Sequence, residues 1–477
     1  MISLYNTSIK KKVPFEPITQ GKVLMYTCGP TVYDDIHMGN IRSYLTADTL
    51  RRILENEGFE VRHIKNITDV GHLTRDTISQ GDTGEDKIEK KARLENVTPE
   101  SITKIYEEHF HTTEKEMNIL PAHFFPKATG HIPQMIHLIE RLIEKNHAYV
   151  VNENVFFDVT SFSRYGNLSG NTLEKLKVGA RLEEHPDKKN PWDFALWLKA
   201  PKEHLMHWNS PWSEGYPGWH IECSAMSMEY LGESFDIHTG GEDNIFPHHE
   251  AEIAQSECAT DKHFCNYWIH TRHLLVDGEK MSKSKKNFYS LKEIKEKGFS
   301  PMDLRLTLLS SHYRSQMNFS WKVLEQSQKN IQKITRTLQR IQNFLPTEKS
   351  SQKDFNISTF FETFFTTLKD DINSPGALAL LYEICNTINT RLDKKIFSQE
   401  EKLLFLKKWD RVAFVLGLQL EEKGEKNLPE KINVILEKRS QAKKEKNYAL
   451  SDILRKKIET LGYTITDLGD KQEITKK

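Results

Sequence analysis

The chain has 477 residues, which is too long for one ordinary hydrophobic core and predicts two to four domains. Hydrophobic residues make up 37%, charged residues make up 28%, and the formal net charge is zero, a composition typical of a soluble globular protein. No run approaches the roughly 18 apolar residues of a membrane span, and the first residues lack an apolar signal segment, so we expect a cytoplasmic protein without membrane contact.

The first elements predict a βαβ unit. The segment Lys22–Thr27 is short, apolar and β-prone, and it ends at Cys28. Residues 38–57 carry apolar side chains at helical spacing until Gly58 ends the pattern. Residues 59–67 predict a second strand. A strand, a helix and a strand in this order indicate a parallel, doubly wound (Rossmann-type) α/β sheet.

The same theme returns later in the chain. Strands are predicted at 233–238 and 267–271, with a helix at 248–258 between them. Residues 121–217 contain many Pro, Asn and Trp residues and differ in character from both flanks. We interpret this segment as an insertion between two halves of one nucleotide-binding fold.

The carboxyl-terminal third has a different pattern. From Trp321 onward it is almost wholly helical, and breaks at 346–354 and 421–429 divide it into an all-α bundle and a small C-terminal module. Residues 431–457 include nine basic and three acidic residues. Such a run is either the solvated face of a helix or a patch that contacts phosphate.

Two short motifs suit a nucleotide. The first, HMGN at 37–40, opens the predicted first helix. A helix amino terminus offers free N–H groups and the positive end of the helix dipole, which favours phosphate. His37 and Asn40 lie three residues apart and can both donate hydrogen bonds, and Gly39 leaves room for a flat base. Alone, this motif is better explained as a surface histidine beside a turn.

The second motif, KMSKS at 280–284, follows a predicted strand and turn. Lys280 and Lys283 lie three residues apart on a hydroxyl-rich loop, where they can form a movable cationic clamp for a leaving pyrophosphate. A generic basic loop is the simpler explanation of this motif by itself. The two motifs together, in this order and far apart, are much more specific than either alone.

Together, HMGN and KMSKS resemble the paired signatures of class I aminoacyl-tRNA synthetases, and other motifs resemble the cysteinyl-tRNA synthetase family. These motifs are LYNT at 4–7, CGPTVYD at 28–34, NITD at 66–69, GWHIECS at 218–224, FPHHEAE at 246–252, HYRS at 312–315 and DINSPGAL at 371–378. The resemblance runs from residue 4 to about residue 380. It has two departures: Asn40 stands where a second histidine is usual, and Lys285 and Lys286 stand where Leu-Gly is common.

The residues alone make an incomplete case for a metal site. The five cysteines are odd in number and widely spaced, which argues against a disulfide framework, and no CxxC pair marks a zinc site. His248 and Glu252 are spaced to share a helix face, and His249 with Glu252 is an alternative that spacing leaves open. The family resemblance selects His248 and implies one Zn²⁺ ion held by Cys28, Cys223, His248 and Glu252.

The resemblance implies that ATP, with Mg²⁺, activates L-cysteine for transfer to tRNA(Cys). Serine differs from cysteine by one atom, and a pocket that recognises shape separates such near-isosteres by only about one to two orders of magnitude. Because Zn²⁺ prefers a thiolate to a protonated hydroxyl, selection at binding could make an editing site unnecessary. Four protein ligands normally close a tetrahedral zinc site, so we expect Glu252 to bind weakly and the site to become five-coordinate.

The resemblance also implies roles for individual residues. The ATP-binding residues are His37, Gly39, Asn40, Lys280 and Lys283, and all of these except Gly39 are implied as catalytic. The amino-acid pocket is implied at Gly29, Thr68, Trp219, His238 and Asp243, with simple core packing as the alternative for Trp219. The remaining cysteines, Cys258, Cys265 and Cys385, are predicted to be buried thiols. We expect a monomer.

These roles complete the predicted domain division. It consists of the first half of the catalytic domain (1–120), the insertion or connective peptide (121–217), the second half (218–275), the KMSKS loop and stem-contact region (276–345), a bundle for the anticodon stem (346–424) and an anticodon-recognition module (425–477). A tRNA-independent ligase for a small amine would not need the helical, basic tail. A non-catalytic RNA-binding relative would not need His37, Lys280 and Lys283.

Overall fold

The computed structural model describes residues 1–70, 73–75, 83–172, 174, 187–281, 287–345, 356–420, 430–445, 447–468 and 471–476. The chain divides into two compact units, Met1–Gln419 and Leu420–Lys477. The predicted breaks at 346–354 and 421–429 and the predicted clamp residue Lys283 lie outside the described residues.

A four-stranded parallel sheet lies at the centre of the first unit. Its strand order is Cys265–Thr271, Phe235–Gly241, Lys22–Thr27 and Glu60–Lys65. Strands were predicted at all four places, and the predicted doubly wound arrangement is confirmed. The strands are largely apolar and buried because helices cover the sheet, as is usual for parallel sheets.

The helix Met38–Asn56 connects two neighbouring strands of this sheet, and its predicted apolar face is buried. Ile41 and Leu50 on this face are fully buried. The helix ends just before Gly58, whose φ of 92° favours glycine. This strand, helix and strand form the predicted βαβ unit.

The order of the strands locates a ligand crevice. The strands Lys22–Thr27 and Phe235–Gly241 lie side by side, and the chain continues from them toward opposite edges of the sheet. In open parallel sheets, such a switch point leaves a crevice at the carboxyl ends of the strands, where ligands bind. Cys28 follows the first of these strands and Asp243 follows the second. The topology therefore brings residues from distant parts of the sequence to one crevice.

The predicted insertion contains an antiparallel sheet with the strand order Trp208–Asn209, Glu214–Pro217, Phe194–Lys199, Asn154–Phe157 and Ala148–Val151. Its buried residues share one hydrophobic core with the helices Ile132–Glu144, Trp219–Leu231 and Glu250–Thr260. The insertion thus packs directly against the helices that carry predicted site residues.

The remaining elements of the first unit are short hairpins and helices. The hairpins are Ser3–Asn6 with Lys11–Pro14 and Leu73–Arg75 with Thr83–Asp86, and a small sheet joins Glu279–Lys280, Leu274–Val276 and Met317–Phe319. The helices are Lys87–Glu95, Pro99–Glu116, Leu291–Glu296, Pro301–Leu309, Trp321–Asn343, Ile357–Lys369, Ser374–Asp393 and Gln399–Leu416. Among all the helices described, none is both long and apolar enough to span a membrane.

The second unit contains the helices Glu430–Lys444 and Tyr448–Thr460, followed by the hairpin strands Tyr463–Leu468 and Lys471–Lys476. Its small core is formed by Ile435, Ile458 and Ile465. The prediction of an almost wholly helical tail is wrong for the hairpin. Gly462 turns the chain with a φ of 84°, and β-prone tyrosine, threonine and isoleucine residues follow it.

Candidate active site and metal centre

Four predicted ligands converge at the carboxyl end of the central sheet. Cys28 follows a central strand, Cys223 lies on the helix Trp219–Leu231, and His248 and Glu252 lie one helical turn apart. One ligand atom from each lies within 4.8 Å of the others, and all four residues are buried. The two sulfur atoms are 3.6 Å apart, and Nε2 of His248 is 3.2 Å from Oε1 of Glu252.

A second group of four residues overlaps the first. It keeps Cys28 and Glu252 but uses His238 and His249. Nε2 of His249 is 3.2 Å from the Cys28 sulfur, and Nε2 of His238 is 2.8 Å from Oε2 of Glu252. The alternative that helical spacing left open for His249 is therefore geometrically available.

The two groups differ in their access to the crevice at the carboxyl ends of the central strands, which is called the cleft below. Cys28, Cys223 and His248 line this cleft, whereas His238 and His249 do not. A metal that meets a substrate must be reachable from the cleft, and two cysteine sulfurs suit Zn²⁺ better than one. The first group is therefore the better fit for a substrate-binding zinc ion.

Neighbouring rings hold the candidate histidine ligands in place. Nδ1 of His248 lies 2.9 Å from Nδ1 of His220, and the His248 ring stacks on Trp219 with 4.2 Å between ring centroids. Nδ1 of His249 lies 2.7 Å from Nε2 of His270. Such contacts orient a metal-binding ring. No role was predicted for His220 or His270, although His220 belongs to the GWHIECS motif that contains Cys223.

Burial raises the pKa of the Cys28 thiol well above its ordinary value and raises the pKa of Cys223 to about 11. Protein groups alone would therefore keep both sulfurs protonated at neutral pH. A divalent cation is the kind of group that ionises such thiols. The donor set of two sulfurs, one imidazole and one carboxylate fits Zn²⁺.

The HMGN motif forms a reciprocal cap on the helix Met38–Asn56. Nδ1 of His37 accepts hydrogen bonds from the backbone N–H groups of Gly39 (2.9 Å) and Asn40 (3.3 Å), and Oδ1 of Asn40 accepts one from the His37 N–H (3.1 Å). Burial lowers the pKa of His37 to about 4, so its ring is neutral at pH 7 with the proton on Nε2. His37 Nε2–H and the Asn40 amide N–H groups remain as donors for a ligand.

Two glycines of the cleft are required by close packing. A Cβ atom on Gly39 would lie 2.7 Å from Cε1 of His37 and 3.0 Å from Cε of Met281. A Cβ atom at this position would therefore crowd the His37 and Met281 side chains, and Gly39 itself lines the cleft, so the prediction that it leaves room for a base stays a prediction. A Cβ atom on Gly29 would overlap the carbonyl oxygen of Asn66, whose Oδ1 also accepts the Gly29 N–H at 2.8 Å.

Most residues of the predicted amino-acid pocket lie on the same cleft as Cys28. The residues concerned are Gly29, Thr68, Trp219 and Asp243. The Thr68 hydroxyl donates to Oε2 of Glu222 at 2.8 Å. His238 is fully buried and lies against Glu252 without lining the cleft. His238 therefore lies against the candidate ligand Glu252 and outside the cleft lining, and its place in the amino-acid pocket stays a prediction.

The KMSKS motif contributes a lysine to the end of the cleft that HMGN lines. Lys280 is exposed on the short strand Glu279–Lys280 and lines the cleft together with His37, Asn40 and Met281. Lys283 lies outside the described residues. One of the two predicted clamp lysines is thus placed beside HMGN, as the pairing of the motifs requires.

Comparison with known proteins identifies the family. Residues 14–329 match the family of tRNA synthetases class I (C) catalytic domains, and residues 363–421 match the DALR domain. A cysteine–tRNA ligase of Chlorobaculum tepidum is 44% identical over 491 aligned residues, covering 100% of this chain and 99% of that protein. A cysteine–tRNA ligase of Thermus thermophilus is 40% identical and covers 97% of each. The chain belongs to the cysteine–tRNA ligase family.

The predicted family and enzyme class are thereby confirmed. A solved structure of Mycobacterium tuberculosis methionyl-tRNA synthetase with methionyl-adenylate resembles this chain with a TM-score of 0.60 and 13% identity, covering 83% of this chain and 88% of that one. At that identity the likeness shows the fold alone, and the fold is that of class I synthetases. The DALR match falls within residues 346–424, where the helical bundle was predicted.

Proposed function

We propose that the chain joins L-cysteine to tRNA(Cys) at the expense of ATP, with Zn²⁺ held by Cys28, Cys223, His248 and Glu252 and with Mg²⁺ accompanying ATP. The observation that carries this proposal is the composition of one cleft. Its inner end has two sulfurs and an imidazole, which suit a metal that meets a thiol. Its outer end has the side chains of His37, Asn40 and Lys280, whose N–H donors suit a triphosphate.

In the first step the carboxylate of cysteine attacks the α-phosphate of ATP. The new C–O–P linkage gives cysteinyl-adenylate, and the bond to pyrophosphate breaks. Because a carboxylate is already a nucleophile, the step needs positioning and charge stabilisation rather than a general base. Nε2–H of His37 and the amide of Asn40 hold phosphate oxygens, and Lys280 with Lys283 stabilises the leaving pyrophosphate.

In the second step a hydroxyl of the terminal tRNA ribose attacks the carbonyl carbon of the adenylate and displaces AMP. We place this attack at the 2′ hydroxyl, as class I membership suggests. The helices that follow the catalytic region would bind the anticodon stem, and the basic helices of residues 431–457 would contact phosphate in the anticodon region. We infer a cytoplasmic monomer.

Selection of cysteine over serine is assigned to the inner end of the cleft. When bound, Zn²⁺ would supply a soft Lewis acid that favours the sulfur of cysteine over the oxygen of serine. Trp219 and His220 keep the His248 ring in one orientation. The carboxylate of Glu252 is shared with His238, which supports Glu252 as the weakest of the four ligands.

Two assays test the function in sequence. Cysteine-dependent ATP–pyrophosphate exchange should occur, and exchange with serine should be at least about 100-fold slower in kcat/KM. Absence of exchange with cysteine would leave only a binding protein. Charging of tRNA(Cys) should follow, and exchange without charging would instead support a ligase that uses another acceptor.

A further inference from the structure

A buried carboxylate outside the cleft has no part in the steps above. Asp371 lies between the helices Ile357–Lys369 and Ser374–Asp393 and is 2% exposed. Its oxygens accept hydrogen bonds from the Tyr5 backbone N–H (2.8 Å), the Tyr313 hydroxyl (2.6 Å) and Nε of Arg314 (2.7 Å). The Arg314 guanidinium also lies 4.3 Å from the ring centroid of Tyr5.

The backbone at this carboxylate is held in an unfavourable conformation. Asp371 and Ile372 have φ angles of 61° and 54°, in the left-handed region that disfavours a β-branched residue above all. The Asp371 N–H donates to the carbonyl oxygen of Ser3 at 2.8 Å. Such conformations persist only where the surrounding contacts impose them, and they often mark positions that matter for function.

Two of the residues that Asp371 holds, Tyr313 and Arg314, belong to a turn, 312–315, whose other side is held by Arg42. Nη2 of Arg42 donates to the carbonyl oxygens of His312 and Ser315, both at 2.9 Å. Nη1 of Arg42 donates to the carbonyl oxygen of Arg272 at 2.7 Å, and the Arg272 N–H donates to the Tyr313 carbonyl oxygen at 2.8 Å. The turn is therefore clamped between Asp371 and an arginine of the helix that HMGN opens.

The clamped turn borders the wall of the cleft. Arg272 and His273 line the cleft, and Leu274–Val276 continues from them. This strand pairs with Met317–Phe319 on one edge, directly after the turn, and with Glu279–Lys280 on the other edge. The position of the strand that carries Lys280 thus depends on where the turn is held.

We propose that Asp371 is a positioning residue for ATP. By fixing the turn 312–315, it sets the cleft wall at Arg272 and His273 and the strand that presents Lys280 to the phosphates. This inference rests on the proposed function, because it concerns how the same cleft uses ATP. It assigns a task in nucleotide binding to a residue of the helical bundle that does not touch the cleft.

Asp371→Asn tests the inference, because it keeps the size of the side chain and removes its charge. The matched control is Asp370→Asn, since the neighbouring Asp370 is exposed and pairs with exposed Lys12 at 2.6 Å. In cysteine-dependent ATP–pyrophosphate exchange, D371N should raise the KM for ATP about tenfold and change the KM for cysteine less than about twofold. D370N should match the wild-type enzyme in both constants.

The thermal midpoint separates positioning from simple support of the fold. A D371N enzyme with a lower Tm and an unchanged KM for ATP would overturn the inference. Tyr313→Phe removes one hydrogen bond to Asp371 and keeps the ring, so it should raise the KM for ATP by a smaller factor. If D371N does not fold, Tyr313→Phe and Arg314→Lys decide the question, and an unchanged KM for ATP in both would refute it.

The route through the turn has its own test in a double-mutant cycle. Arg42→Lys removes the forked donor that holds the turn from the cleft side. If Asp371 acts through that turn, D371N should raise the KM for ATP by a smaller factor in the R42K background than in the wild type. Equal factors in both backgrounds would overturn the route.

If the wild-type enzyme shows no exchange, the proposed function fails. Calorimetric measurement of ATP binding by the wild type and by D371N would then still test whether Asp371 positions the ATP site.

Discussion

Oε2 of Glu252 lies 2.8 Å from Nε2 of His238, a ring that is fully buried behind the cleft. The other oxygen, Oε1, faces the cluster and lies 3.2 Å from Nε2 of His248 and 3.5 Å from the sulfur of Cys28. Glu252 therefore has one oxygen for a metal and one for a supporting ring. A carboxylate shared in this way can loosen its hold on a metal without losing its position, which suits a site that must admit a further ligand.

We expect Glu252→Ala to lower both the zinc content and the affinity for cysteine. The substitution removes a ligand and leaves the buried His238 ring without its partner. Zinc content by elemental analysis and cysteine affinity by titration are the measurements, with Glu229→Ala, an exposed position on a helix of the same unit, as the control. Unchanged zinc content and unchanged cysteine affinity in the Glu252 variant would contradict the assignment.

The two overlapping ligand groups make opposite predictions for neighbouring histidines. If Cys223 and His248 complete the site, His248→Ala should lose most of its zinc and its cysteine-dependent exchange, while His249→Ala should retain at least half of its zinc. Both rings are buried and held by another histidine, so the two substitutions disturb the core similarly. If the His248 variant kept its zinc and the His249 variant lost it, the second group, which contains His238 and His249, would be the metal site.

Local patterns in the sequence predicted the sheet correctly, and the family motifs named four candidate ligands that the structure brings together. Apolar runs and helical spacing located the central strands and the helix Met38–Asn56, and motifs located Cys28 and Glu252. The supporting contacts were not predictable, since His220 and His270 meet their partners only through the tertiary fold. Spacing also could not choose between His248 and His249, because both lie within one helical turn of Glu252.

One error has a specific physical cause. The terminal hairpin was missed because each of its strands is only six residues long and follows a long helical pattern. The role inferred for Asp371 could not have been predicted from sequence, since it depends on Tyr313, which is 58 residues away.

His37→Asn separates capping from phosphate binding. Asparagine can still accept the N–H groups at the helix start, but it removes the Nε2–H donor that faces the cleft. We expect stability close to wild type and a drop of about 100-fold in kcat/KM for ATP. His37→Ala should show the same kinetic loss and also lose about 1 kcal/mol of stability. Wild-type kinetics in the asparagine variant would mean that His37 only caps the helix.

Gly29→Ala should abolish cysteine activation. The added methyl group would overlap the carbonyl oxygen of Asn66, a rigid backbone atom, so either the loop or the neighbouring strand must move. We expect a loss of about 3 kcal/mol or more in the free energy of unfolding. Gly130→Ala is the matched control, since a methyl group there meets no atom within 4 Å. Urea denaturation and exchange assays on both variants check this, and an active Gly29 variant would show that the loop tolerates displacement.

A buried ion pair should make stability sensitive to acid. Oδ2 of Asp48 lies 2.5 Å from Arg305 and 2.9 Å from Arg52, and all three side chains are almost fully buried. Burial alone would raise the pKa of Asp48, but the two guanidinium groups hold it below its ordinary value. Asp48 therefore contributes stability above its unfolded pKa of about 3.9, and this contribution is lost as the pH falls through the lower, folded value.

Asp48→Asn should cost about 3–5 kcal/mol at pH 7, because it leaves a buried Arg305 without its counter-charge. The difference from wild type should stay constant from pH 7 to 5 and shrink below about pH 4, where the carboxylate of the unfolded wild-type chain gains a proton. Asp393→Asn is the matched control, since Asp393 pairs with Arg340 at an exposed position, and it should cost less than about 1 kcal/mol. Urea denaturation of both variants across this pH range is the measurement, and equal costs for the two would show that the buried pair adds no net stability.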